Sequence, residues 1–183
     1  GLEAIYWVQN YPDEISGIIG IDMAVPDAYD KEYNLIISKT MMTLGRASVK
    51  LGLLRIPGIY PLNEAPLTEK EAKQQRLLMY RNAVNPVYIA EGQKVYENAQ
   101  TVKTGGAISC PVLMFCSDGT ESGDFWIPTQ EKFAEEKEER VSLFHLYGTS
   151  YELDYGKGWH YIHYYKSEEM VDHIESFLAE IIG

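Results

Sequence analysis

Imidazoles and carboxylates near the ends of predicted strands are the groups in this chain whose types and spacing could do chemistry. His160 stands in Gly158-Trp159-His160-Tyr161-Ile162-His163, a loop between a predicted last strand and a predicted last helix. Its ring changes charge near neutral pH, so it suits the transfer of a proton to and from a reacting group. A carboxylate beside it would hold one tautomer and stabilise the imidazolium that forms. Two aspartates end predicted strands ahead of it: Asp22 after Gly20-Ile21, and Asp118 in Ser117-Asp118-Gly119. Asp22 is the preferred partner and Asp118 the alternative, with the loop acids Glu121 and Asp124 behind them. In a parallel sheet, ligands bind beyond the carboxyl ends of the strands, which is where these groups fall. His163 reads as structural, bonding loop backbone. His145 in a strand and His173 on the last helix read as ordinary. The four histidines show no metal-ligand spacing, and no cofactor is required.

The elements that must position these groups follow from hydrophobic periodicity. Residues 1–10 read as a helix with Leu2, Ile5 and Tyr6 on one face, stopped by Tyr11-Pro12. Ile15 to Ile21 reads as a strand buried on both faces. A helical pattern covers about 33 to 54, with breaks at Gly45 or Gly52. Thr68 caps another helix, with Glu71 as its capping-box partner, ending near Asn82. Asn85-Pro86 breaks the pattern before a helix over 87–100. Strands then cover Pro111–Cys116 and Arg140–Tyr147, with a helix Trp126–Glu136 between them. A closing helix Ser167–Ile182 has Ser167 as its N-cap.

This alternation predicts an α/β protein with a parallel sheet. Residues 1–26 and 106–183 form its core, and 27–105 are a helical insertion. Three strands leave apolar faces and an edge uncovered, so further strands, N-terminal to Gly1 or on another chain, are expected to complete the sheet.

Composition narrows the partners. The net charge of −11 disfavours nucleic acid and anionic membrane surfaces. Cys110 and Cys116 flank one predicted strand about 20 Å long, too far apart to bond. They read as reduced core thiols, which suits a reducing, cytoplasmic compartment. No apolar run is long enough to span a bilayer, and no signal peptide is evident.

These motifs resemble the α/β-hydrolase superfamily, in particular its capped, proline iminopeptidase-like serine hydrolases. In that family a G-x-S-x-G elbow ends a strand and opens a helix. Gly1-Leu2-Glu3-Ala4 is similar to the start of that helix. Gly20-Ile21-Asp22 and Cys110-Pro111-Val112-Leu113-Met114-Phe115 are similar to the two strands after which members keep their acid, and Gly158-Trp159-His160 to the histidine loop. The family's acid spacing after the second strand falls nearer Thr120 than Asp118. The resemblance implies the C-terminal half of an α/β-hydrolase parallel sheet with an inserted helical cap. It implies catalytic roles for His160 and for Asp22 or Asp118, with a serine just upstream of residue 1. The substrate would be a small-molecule ester or amide. Met41, Met42 and Leu44 of the cap could line an acyl pocket, and Glu91 or Glu64 could meet a substrate amine. The partner implied is the N-terminal half of the same fold, as an upstream segment or a second chain, and a homodimer is also compatible. An aspartate at the nucleophile position would instead mean dehalogenase or epoxide hydrolase chemistry. Alanine or glycine there would mean a non-catalytic binding module, and this segment alone would be inert.

Overall fold

The computed structural model describes residues 1–29, 35–56 (backbone alone for 35–39), 67–119, 122–137, 139–146, 160–164 and 166–183. The chain divides into two compact units, Gly1–Asp30 with Asn98–Gly183, and Lys31–Glu97. Helices and a small parallel sheet make it a mixed α/β protein.

The first unit holds the sheet. Strands β1 (Ile18–Ile21), β2 (Val112–Cys116) and β3 (Val141–His145) lie in the order β1-β2-β3, each pair parallel. Ile18 pairs with Val112, and Val112 with Val141. All five residues of β2 are buried, as a central parallel strand covered on both faces must be. Its side chains alternate between two cores. Val112 and Met114 join Ile5 and Val8 of α1 (Leu2–Asn10) and Phe133 of α5 (Trp126–Glu135). Leu113 and Phe115 join Met170 and Phe177 of α6 (Ser167–Ile182).

Local sequence explains most element limits, and tertiary packing shifts a few. The buried stripe of α1 is Ile5 and Val8 with Leu2 packed against it, while Tyr6 is exposed. Steps of three keep that stripe over the sheet, and Tyr6 falls beside it. The expected strand from Ile15 begins only at Ile18, because a 3₁₀ turn over Pro12–Glu14 precedes it. Ser167 does not cap α6. The cap position belongs to Lys166, whose N–H already donates to the Ile162 carbonyl, so the helix starts at Ser167 itself.

Helices α2 (Leu35–Lys50), α3 (Glu69–Asn82) and the first part of α4 (Pro86–Lys103) belong to the second unit. From Asn98 onward α4 belongs to the first unit, where Val102 is buried in the core beside Ile5. Of the two expected break points, α2 runs through Gly45 and ends before Gly52. Gly52 follows the helix end with φ of 73°, a left-handed conformation that costs glycine little. Met41 and Leu44 are exposed, whereas Met42 lies against Gly92.

The capping box at α3 is complete. Thr68 Oγ1 accepts from the Glu71 N–H, and the Glu71 carboxylate accepts from the Thr68 N–H. Thr68→Ala is expected to cost about 1 kcal/mol. Thermal melting followed by helical circular dichroism would read this as a lower midpoint, and an unchanged midpoint would deny the box any weight.

Candidate active site

The site is built on the turn that follows β1. Asp22 continues the ladder, its N–H donating to the Phe115 carbonyl at 2.8 Å. Its φ is 50°, a left-handed conformation that aspartate tolerates better than most residues. The turn aims the side chain inward, where it is fully buried. Oδ1 accepts from the Ser117 backbone N–H and from Trp126 Nε1, both at 2.8 Å. Oδ2 faces His160 Nδ1 at 2.7 Å. An ionised carboxylate only accepts, so it selects the imidazole tautomer with hydrogen on Nδ1 and leaves the Nε2 lone pair for a proton. The His160 side chain is 44% exposed, so the ring bridges a dry carboxylate and open space. Trp126 and Tyr161 stand edge-on to it, with ring centroids 6.1 and 5.6 Å away.

That open space is a cavity of about 760 Å³, lined by Gly1, Asp22, Ser122, Trp126, His160 and Tyr161 among others. Gly1 lies there because the start of α1 presses on the turn carrying Asp22. A Cβ at position 1 would come within 2.0 Å of the Ala24 carbonyl oxygen, so only glycine fits. The N–H groups at the start of α1, with the positive end of its dipole, are thus at the edge of the same cavity as the imidazole.

Burial pushes the Asp22 carboxyl up. The hydrogen bonds from His160, the Ser117 N–H, Trp126 and the Ser117 hydroxyl outweigh it and leave the group below its ordinary 3.8. A folded-state value below the unfolded one gives stability that is complete above the unfolded value and lost as pH falls through the folded value. Melting midpoints are therefore expected to fall as pH drops below the carboxyl's ordinary 3.8, and Asp22→Asn to flatten part of that acid limb. Identical acid limbs for wild type and Asp22→Asn would contradict this.

The carboxylate that meets the ring is thus Asp22. Asp118 is half-buried in the turn after β2. Burial, Asp22, Glu131 and Asp118, in that order, push the Cys116 thiol up to about 12, so it stays protonated and unreactive. Cys110 and Cys116 are both buried and free. Asp124 is exposed, and Gly158, Trp159, Glu121 and Glu64 lie outside the described residues. His163 Nδ1 is buried with no hydrogen-bond partner among the described residues, and its ring packs on Tyr164 at 4.4 Å; most of the loop whose backbone it was expected to bond lies outside the described residues. His145 faces Glu131 at 3.5 Å, and the His173 ring packs 3.9 Å from Phe144.

Sequence reasoning missed Trp126, Gln130 and Ser122. The first two left a signal: two hydrogen-bonding side chains four apart on the inner face of a short helix, where apolar residues would serve packing alone. Among the described residues no group of three or more His, Cys, Asp or Glu is placed to hold a metal ion. No described helix is long and apolar enough to cross a membrane. The chain matches no protein-family model, no curated protein and no solved structure.

Proposed function

We propose that this chain supplies the base and the orienting acid of a serine hydrolase of the α/β-hydrolase type. Its sheet would be the C-terminal half of that fold, the helical insertion over 27–105 its cap, and the serine would lie just upstream of residue 1. The observation that carries this reading is the 2.7 Å contact between His160 Nδ1 and the buried Asp22 carboxylate, beside a cavity that Gly1 also lines.

The chemistry is acyl transfer. The hydroxyl attacks an ester or amide carbonyl while Nε2 of His160 takes its proton. Asp22 stabilises the imidazolium, and backbone N–H groups near the start of α1 hold the oxyanion. Collapse of the tetrahedral intermediate expels the alcohol or amine, which receives the proton from Nε2. Water then releases the acid by the same route, and the serine is regenerated. No cofactor takes part.

Mapping the nucleophile tests the reading. The intact protein, including the sequence upstream of Gly1, would be treated with a fluorophosphonate probe, digested and sequenced by mass spectrometry. The label is expected on a serine about two residues before Gly1, and the 183-residue chain alone should take none. A label on Ser122 would move the nucleophile into this chain. No label on any serine would favour a non-catalytic binding module.

A further inference from the structure

We propose that Gln130 is a positioning residue for the His160–Asp22 pair, holding through the Met23 carbonyl the turn that aims the Asp22 carboxylate. The inference rests on reading that pair as base and orienting acid, and it names a residue no motif marks.

The turn needs holding. A non-glycine residue in the left-handed region is strained and persists where its surroundings hold it there. The Phe115 carbonyl, the Ser117 N–H and His160 hold Asp22 itself, and α5 supplies the rest. Trp126 donates to Asp22 Oδ1 at 2.8 Å, and Gln130 Nε2 donates to the Met23 carbonyl at 2.9 Å. Further along the same helix, Lys132 pairs with Asp27. Residues 126 and 130 are one helical turn apart and share a face. Helix α5 therefore grips successive points of the segment from 22 to 27. The Asp22 N–H is tied to Phe115 on one side, and the Met23 carbonyl to Gln130 on the other. Between these two tethers the backbone has little freedom to turn the carboxylate away.

Packing alone does not account for the amide. Gln130 is fully buried, and its Oε1 has no hydrogen-bond partner among the described residues. A buried acceptor left unsatisfied is destabilising. Methionine would fill similar space without that cost, so the gain lies in the one bond that Nε2 donates. A carbonyl only accepts, which fixes the NH₂ as the end facing Met23.

The test reads His160 itself and not turnover, so it can fail while the hydrolase reading stands, and the reverse. The His160 ring would be titrated by NMR in wild type, Gln130→Met and Phe133→Leu. Gln130→Met is expected to lower the midpoint by about half a unit to one unit, a three- to tenfold weaker hold on the proton. Phe133→Leu loosens the packing of α5 and removes the ring that Lys137 Nζ stands over at 4.3 Å, but it touches no hydrogen bond to the turn at Asp22, and should lower melting temperature with the midpoint unmoved. An unmoved midpoint in Gln130→Met, or an equal shift in Phe133→Leu, overturns the proposal. If Gln130→Met does not fold, exchange of the wild-type Gln130 side-chain amide decides. Exchange about a hundredfold slower than in free glutamine supports the bond, and exchange at the free rate overturns it.

Discussion

Replacing His160 with alanine is expected to slow fluorophosphonate labelling of the intact protein about a thousandfold or more, which is about 4 kcal/mol of activation free energy. The reason is the ring's position. Nδ1 faces Asp22 at 2.7 Å, the side chain is 44% exposed, and the tautomer that this contact selects puts the lone pair on Nε2. No other histidine among the described residues lines that cavity. His145 faces Glu131 and His173 packs on Phe144, so neither can substitute. Folding should survive, because the ring is not part of either apolar core. Wild-type labelling by His160→Ala would end the assignment of His160 as base.

Replacing Asp22 with asparagine is expected to lower turnover by a factor of about 10³–10⁴, while Asp118→Asn leaves it within a few-fold of wild type. The asymmetry comes from donors and acceptors. The Ser117 N–H and Trp126 Nε1 both donate to Oδ1, so an asparagine must set its carbonyl oxygen there. Its NH₂ then occupies the place of Oδ2 and donates toward His160 Nδ1. That forces hydrogen onto Nε2, where the reaction needs a lone pair. Both backbone and indole donors keep an acceptor, so the fold loses far less than the rate. Comparable losses in both variants, or a loss in Asp118→Asn alone, would overturn the choice of Asp22.

Much of the architecture was legible because it depends on short-range periodicity. The Thr68–Glu71 box, the apolar run of β2 and the stripe of α6 with Met170 and Phe177 are local patterns that burial then satisfies. The errors were at margins set by neighbours in space. Ser167 lost its cap role to an incoming turn, and Tyr6 lost its place in the core to the three-residue spacing of α1.

Residue types and strand ends, readable in one dimension, determined that His160, Asp22 and Asp118 were the groups to consider and that a parallel sheet would carry them. Only the tertiary structure decided which aspartate meets the ring. That choice turns on a left-handed backbone angle at Asp22 and on donors from Trp126 and Ser117, residues 104 and 95 positions away along the chain. Hydrogen bonds reach about 3 Å and depend on direction, so a pattern along the chain can rank Asp22 ahead of Asp118 but cannot fix which carboxylate folding brings within range.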